Sequence, residues 1–137
     1  EKFQQLVEEG GFLEHAEFSK NCYGTPAAPV DAELQVGRDV LLEIEVQGAM
    51  QVKQARPEAV RIFLAPPSFE ELERRLVGRG TEEPEVVQRR LNAAKHELTL
   101  APEFDYIVVN NTVEQAVSDV LAIMQAETCR SSRVTLK

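Results

Sequence analysis

Hydrophobic and polar residues alternate along this chain with two periods, one typical of helices and one typical of strands. Residues 1–9 carry apolar side chains at helical spacing, and the glycine pair after them predicts the end of that helix. Residues 12–18 alternate as a strand does, and residues 19–26 are expected to turn away from it. A short helix is then predicted from Pro29 to a cap at Gly37, because proline is favoured in the first turn of a helix.

The clearest strand pattern lies at residues 39–46. Every second residue from Val40 to Val46 is apolar, which places these side chains on one face of the predicted strand. Glu43 and Glu45 then fall together on the opposite face. Two like charges on one face of a buried strand need a cation or hydrogen-bond donors to satisfy them.

Helices and strands continue to alternate over the rest of the chain. Ser68 and Glu71 have the spacing of a capping box, and Thr112 is expected to cap the last helix. Further elements are predicted as a helix at 48–55, a strand at 59–65, a helix from Ser68 to Gly78, a helix from Pro84 to about Leu100, a strand at 105–110 and a last helix after Thr112. The apolar stripe of that helix is Ala116, Val117, Val120, Leu121 and Met124, and the polar tail from about residue 128 is expected to fray. This order predicts an α/β fold with a largely parallel sheet flanked by helices.

Composition narrows the class of protein. The 137 residues fit one domain with a hydrophobic core. A formal charge of −8 argues against a nucleic-acid or membrane-surface partner, because such partners need extended basic surfaces. The two cysteines form no CxxC motif and the two histidines lie far apart, which predicts neither a disulfide framework nor a zinc site. No signal peptide or membrane-length apolar run occurs in the sequence, and we expect a cytoplasmic location.

Against this acidic background, residues 74–90 hold five of the ten arginines. One interpretation is that four of them lie on solvated helix faces and pair with nearby glutamates. These four are Arg74, Arg75, Arg89 and Arg90. The other interpretation is that Arg75, Arg79 and Arg90 converge on one anion. Arg79 stands between two glycines that let the backbone bend, which suits binding of a phosphoryl group.

A second candidate lies at residues 12–25, where Glu14 is followed by Tyr23 and Thr25 around a glycine. The simpler interpretation is a surface strand with a hairpin-like turn. The functional one is recognition of guanine, whose N1–H and N2–H donors suit a carboxylate and whose O6 acceptor suits a hydroxyl. Glu43 and Glu45 also allow two interpretations. In the first, one carboxylate lies in solvent and the other makes a structural hydrogen bond. In the second, the pair binds Mg²⁺ or the edge of a base.

Five segments of the sequence together resemble a known protein family. They are FLEHAEFSKNCYGT at 12–25, DVLLEIEVQGAMQVK at 39–53, IFLAPPSFEELERRLVGRGTE at 62–82, QRRLNAAKHEL at 88–98 and DYIVVNN at 105–111. In order and spacing they resemble the guanylate kinases of bacteria. The resemblance implies a P-loop NTPase-like parallel sheet with a GMP-binding subdomain and an arginine-bearing lid. It also implies transfer of the γ-phosphoryl group of ATP to GMP, giving ADP and GDP, with Mg²⁺ accompanying ATP.

The resemblance also implies roles for single residues on the GMP side. Glu14 is similar to the carboxylate that recognises guanine, Thr25 to the hydroxyl that donates to O6, and Tyr23 to the tyrosine that holds the GMP phosphate. Glu43 matches a carboxylate near the base. Glu45 matches a second carboxylate, near the Mg²⁺ and the phosphates.

On the ATP side, Arg75, Arg79 and Arg90 resemble the lid and adjacent arginines that close over ATP and the transferred group. Asn110 falls at a family contact to adenine. Arg74 and Arg89 are interpreted as surface residues. The expected partners are therefore GMP and ATP, and the sequence leaves the oligomeric state open.

The resemblance covers residues 1–127 of a single expected domain. Its parts are 1–36 in the GMP-binding subdomain, 37–73 and 101–127 in the core, 74–100 in the lid and following helix, and 128–137 as a tail. The first strand and the GxxxxGK[ST] phosphate loop of the family do not occur in the sequence. We therefore expect this chain alone to be inactive. Two alternatives are an inert guanylate-kinase-like module that binds proteins, and another nucleoside monophosphate kinase. Glu14 and Thr25 argue against the second alternative, because this pair suits guanine.

Overall fold

The chain folds into two compact units, residues 1–61 and residues 62–137. The structure, a computed structural model, describes residues 2–18, 21–78 and 83–136. Helices alternate with strands, and one strand pair is parallel, which confirms the predicted α/β class. The finer division at residues 36, 73 and 100 stays a prediction. No helix in the described part of the chain is both long and apolar enough to cross a membrane.

The first unit is built on an antiparallel strand pair. Its elements are α1 (Lys2–Glu8), β1 (Phe12–Phe18), β2 (Asn21–Pro26), α2 (Ala27–Gln35) and α3 (Val46–Ala55). Gly10 and Gly37 follow α1 and α2 with φ of 71° and 83°, a left-handed conformation that glycine adopts without steric cost. Both predicted helix ends are therefore confirmed. Aromatic packing of Phe3 on Phe12, with ring centroids 4.7 Å apart, holds α1 against β1.

The prediction that residues 19–26 simply turn away from β1 is wrong, because residues 21–26 form strand β2. Gly24 and Pro26 lower the strand propensity of this segment, but pairing with β1 outweighs that local preference. Gly24 is needed here for a packing reason. A Cβ at this position would lie 2.7 Å from Cδ1 of Phe12, so the ring of Phe12 occupies the space that a larger residue would fill.

The strand predicted at residues 39–46 is also absent, since residues 39–45 are irregular and α3 begins at Val46. The predicted alternation nevertheless holds, because even-numbered side chains from Val40 onward are half-buried and the odd-numbered ones, including Glu43 and Glu45, are exposed. A strand requires a hydrogen-bonded neighbour, and none of the described residues pairs with this segment. The pattern therefore predicted which side is buried but not a paired strand.

The second unit is a β-α-α-β arrangement followed by a helix. Its elements are β3 (Ile62–Ala65), α4 (Phe69–Val77), α5 (Pro84–Leu100), a 3₁₀ turn (Ala101–Glu103), β4 (Tyr106–Val109) and α6 (Val113–Thr128). The hydroxyl of Ser68 accepts a hydrogen bond from the backbone N–H of Glu71 at 3.0 Å. The hydroxyl of Thr112 accepts one from Gln115 at 3.1 Å. Both predicted helix caps are confirmed.

Parallel pairing of β3 with β4 organises the core of this unit. Phe63 and Val108 are buried at its centre, and the ring of Phe104 meets that of Phe63 edge to face, with centroids 5.3 Å apart. The predicted stripe of α6 is only partly buried. Ala116 is buried, whereas Val117 and Leu121 are 51% and 60% exposed. A stripe of five apolar positions is wider than the line along which α6 meets β4, so its flank stays in solvent.

The expectation that the tail frays from residue 128 is wrong for its first residues. Glu127 is buried, and its carboxylate accepts hydrogen bonds from Nε of Arg130 at 2.8 and 2.9 Å and from the hydroxyl of Tyr106. Nη2 of Arg133 lies 3.6 Å from the same carboxylate. A buried carboxylate needs such donors, and they hold the chain after α6 against the start of β4.

This cluster predicts a loss of stability in acid. Hydrogen bonds from Tyr106 and Arg130 hold the pKa of the Glu127 carboxyl below its ordinary value. A lowered pKa stabilises the folded state above the ordinary carboxyl pKa, about 4.3, and that contribution is lost as the pH falls through the folded-state pKa. In thermal unfolding, Glu127→Gln should have a lower midpoint than the unmodified chain at pH 7, and the difference should shrink at about pH 3. Glu73→Gln, at an exposed position of α4, is the control; an equal gap at both pH values would contradict the prediction.

Candidate functional site

The first unit brings together two residues that the sequence singled out, Glu14 on β1 and Thr25 on β2. They are cross-strand partners, and the hydroxyl of Thr25 donates a hydrogen bond to Oε1 of Glu14 at 2.8 Å. Both side chains are half-buried. The strand register shifts between Phe12 and Glu14, as in a β-bulge, and such a shift re-aims the side chains that follow it. Strand pairing therefore produces a preformed carboxylate–hydroxyl pair.

Tyr23 lies on the same face of the hairpin as this pair. It pairs with Ala16, two positions along the ladder from the Glu14 and Thr25 pair, and strand side chains two positions apart share a face. Tyr23 is 56% exposed. Its phenol is accessible to a ligand that contacts Glu14 and Thr25.

Helix α3 contacts β1 beside Glu14 through two residues that the sequence analysis left without a role. The amide of Gln51 makes two hydrogen bonds to the backbone of His15: Oε1 accepts from its N–H at 2.9 Å, and Nε2 donates to its C=O at 3.0 Å. Gly48 is buried, and a Cβ there would lie 3.2 Å from Oε2 of Glu14. A polar residue between the apolar Met50 and Val52 was the only sequence signal for Gln51.

Glu43 and Glu45 are both exposed in the irregular segment before α3, and Glu45 is the residue that precedes the first turn of that helix. The described residues contain no group of three or more side chains that could by themselves hold a metal ion. Mg²⁺ usually retains several waters and takes only one or two carboxylates together with substrate phosphates. An exposed carboxylate such as Glu45 fits that limited, indirect contribution.

In the second unit, the structure brings together Arg75 of α4 and Asn110 at the end of β4. Nη2 of Arg75 donates to the backbone carbonyl of Asn110 at 3.4 Å, and its Nε donates to Oε1 of Glu71 at 3.1 Å. The backbone N–H of Asn110 donates to the carbonyl of Ala65 at 2.7 Å, which extends the ladder between β3 and β4. Two predicted ATP-side residues that are far apart in sequence therefore lie in contact.

Glu71 ties Arg75 to its neighbour Arg74, which also makes an ion pair with this carboxylate. Partial desolvation would raise the pKa of Glu71, but hydrogen bonds from Arg74 and Arg75 outweigh it and lower that pKa. The carboxylate therefore stays ionised at neutral pH and orients both guanidinium groups. The second half of the predicted capping box does not form around it, since its side chain is committed to the arginines.

Of the two other arginines predicted to converge with Arg75, the structure describes Arg90. Arg90 is exposed on α5, within the second turn after Pro84, as predicted, and α5 packs against α4 with Nζ of Lys95 4.9 Å from the ring centroid of Phe69. Arg79 lies outside the described residues. The predicted convergence of Arg75, Arg79 and Arg90 therefore stays a prediction.

Comparison with known proteins gives one consistent result. A family model described as guanylate kinase matches residues 1–127. A guanylate kinase of Thermus thermophilus is 59% identical over 132 residues, which are 96% of this chain and 60% of that protein. One of Parasynechococcus marenigrum is 56% identical over 124 residues, covering 90% of this chain and 68% of that protein.

A solved structure agrees with these sequence matches. The crystal structure of guanylate kinase from Anaplasma phagocytophilum aligns with a TM-score of 0.77 and 32% identity over 96% of this chain and 64% of that one. The chain spans about 60% of the length of its Thermus relative. The fold class and the resemblance inferred from the five sequence segments are both confirmed, and the chain belongs to the guanylate kinase family.

Proposed function

We propose that this chain forms the GMP-recognising and lid-bearing part of a guanylate kinase, which transfers the γ-phosphoryl group of ATP to GMP and yields ADP and GDP. The observation that carries the proposal is the hydrogen bond of 2.8 Å between Thr25 and Glu14. Family membership supports the reaction class.

The carboxylate–hydroxyl pair has the hydrogen-bonding pattern that guanine requires. Glu14 accepts from the N1–H and N2–H groups of the base, and the hydroxyl of Thr25 rotates from Glu14 to donate to O6. Adenine has an acceptor at N1 and a donor at N6, so both contacts would be reversed for AMP. Tyr23, exposed on the same face, is proposed to hold the GMP phosphate, and Glu43 to lie near the base.

The arginine side is proposed to stabilise charge on the phosphates of ATP. Arg75 uses two of its five N–H donors on Glu71 and Asn110 within the described residues, which leaves donors for phosphate oxygens. Arg79 and Arg90 are proposed to complete the lid, and Asn110 to contact adenine. Glu45 would orient the waters of Mg²⁺, which accompanies ATP and neutralises phosphate charge.

Phosphoryl transfer also needs a phosphate-binding loop, and the sequence contains no GxxxxGK[ST] pattern. We therefore propose that the reaction requires such a loop to be supplied together with this chain. The test is a coupled assay of ADP release with ATP, Mg²⁺ and GMP. One sample is this chain; the other is a hybrid in which the Thermus thermophilus relative provides the part of its length that the chain does not match.

We expect no turnover from the chain and GMP-dependent turnover from the hybrid, with AMP unable to replace GMP. Turnover by the chain itself would overturn the requirement for an added loop. A folded hybrid that binds GMP without releasing ADP would instead favour the inert, protein-binding alternative.

A further inference from the structure

Helix α3 occupies the outer edge of strand β1 at the residue next to Glu14. Within the described residues β1 pairs only with β2, which leaves its second edge without a strand neighbour. The amide of Gln51 takes the place of that neighbour at His15, because it both accepts from the backbone N–H and donates to the backbone C=O, at 2.9 and 3.0 Å. These two bonds fix the position of the backbone at His15 relative to α3.

The side chain of Glu14 is confined from the same helix. Gly48 lies one turn before Gln51, and an added Cβ would be 3.2, 3.3 and 3.4 Å from Oε2, Cδ and Cγ of Glu14. The carboxylate therefore rests against a helix surface that lacks a side chain, while its other oxygen accepts from Thr25. Thr25 on one side and the helix at Gly48 on the other restrict its rotamers.

We propose that Gln51 is a positioning residue for guanine recognition, which acts by holding the β1 backbone so that the carboxylate of Glu14 stays between Thr25 and Gly48. This inference rests on the proposed function, in which Glu14 accepts from N1–H and N2–H of the base. A shift of the strand would move both acceptor oxygens away from two donors at once. The consequence is loss of selectivity for guanine, and not only loss of affinity.

The selectivity can be measured by titrating the isotope-labelled chain with GMP, IMP and AMP up to about 10 mM, with amide chemical shifts of β1 and β2 as the signal. IMP lacks the N2 amino group, so the ratio of its Kd to that of GMP reports the contact of Glu14 with that group. Gln51→Leu should weaken GMP binding about tenfold, as expected for the loss of two hydrogen bonds that orient an acceptor, and should bring the ratio close to one. Gln54→Leu, exposed on the same helix, should leave both values unchanged.

A second variant distinguishes positioning from a general loss of structure. The protonated carboxyl of Gln51→Glu has one donor and one acceptor, like the amide, whereas its ionised form has only acceptors and faces the carbonyl of His15. The neutral carboxyl can donate to the carbonyl of His15 and the ionised form cannot, which raises the pKa of this glutamate above its ordinary value of about 4.3. The ratio for this variant should therefore be close to one at about pH 8 and move toward that of the unmodified chain at about pH 5. Glu14 and His15 are present in both proteins, so the unmodified chain at each pH is the reference.

Gly48→Ala tests whether the close approach of α3 to the Glu14 carboxylate matters for selectivity. Alanine favours a helix over glycine by about 1 kcal/mol, so this variant should unfold at the same temperature as the unmodified chain or higher. Its methyl group must displace Glu14 by a few tenths of an ångström, and the ratio should fall.

The outcomes separate the two hypotheses. If the unmodified chain binds GMP no better than IMP and AMP, the proposed guanine recognition fails and the inference with it. If the chain discriminates and Gln51→Leu keeps the ratio, only the role of Gln51 is refuted. If Gln51→Leu does not fold, the ratio for Gln51→Glu decides: a ratio close to one at pH 8 supports the role, and the ratio of the unmodified chain at pH 8 overturns it.

Discussion

Replacing Glu14 by glutamine is expected to weaken GMP binding on the order of 100-fold, because an acceptor becomes a donor that faces the donors of guanine. Turning the amide over restores one acceptor at most, whereas the carboxylate has two. Thr25 can still donate its hydrogen bond to the amide oxygen, so the hairpin of β1 and β2 should remain folded. Binding can be followed by the amide titration described above for the Gln51 variants.

Glu17→Gln is the matched control, because Glu17 is exposed and lies an odd number of residues from Glu14 on the same strand. It makes the same change of charge on the opposite face of β1. An equal loss of GMP affinity in both variants would attribute the effect to net charge. Unchanged affinity in Glu14→Gln would refute the assignment of Glu14 to the base.

Replacing Arg75 by alanine should lower phosphoryl transfer on the order of 1000-fold in the hybrid enzyme, with little change in GMP affinity. Arg75 is the arginine that Glu71 orients toward the end of β4, where it reaches the carbonyl of Asn110. The loss of a guanidinium that stabilises transition-state charge lowers kcat, while a residue that only helps to bind GMP would change KM.

Arg74 provides an unusually close control for this experiment. It makes an ion pair with the same Glu71 carboxylate and adjoins Arg75 in the same helix, but 77% of its side chain is exposed to solvent. Arg74→Ala should therefore retain nearly all activity. Equal losses in the two variants would indicate that the ion-pair network, and not the position of Arg75, carries the effect.

Local rules were sufficient where the structure depends on neighbouring residues. Helix α5 runs from Pro84 to Leu100, as the sequence predicted, because a proline opens it and apolar periodicity continues to its end. Ser68 and Thr112 cap their helices as predicted, since a cap involves residues only three positions apart. These features need no knowledge of the rest of the fold.

The failures lie where pairing with another segment decides. Residues 39–45 have the alternation of a strand but no partner among the described residues, and residues 21–26 have weak strand propensity but pair with β1. The hydroxyl of Tyr106 likewise reaches Glu127 from 21 residues away, and the same carboxylate accepts from Arg130 of the tail. The periodicity of a segment does not show whether it pairs with another one.

The family, most of the helices and strands, and the residue types able to recognise a base or a phosphate follow from the sequence alone. The folded chain is needed to see that Thr25 donates to Glu14, that Arg75 reaches Asn110, and that α3 supports β1 through Gln51. The physical reason is that helix periodicity and caps depend on side chains within one or two turns. Hydrogen-bond geometry between elements depends on how the whole chain packs.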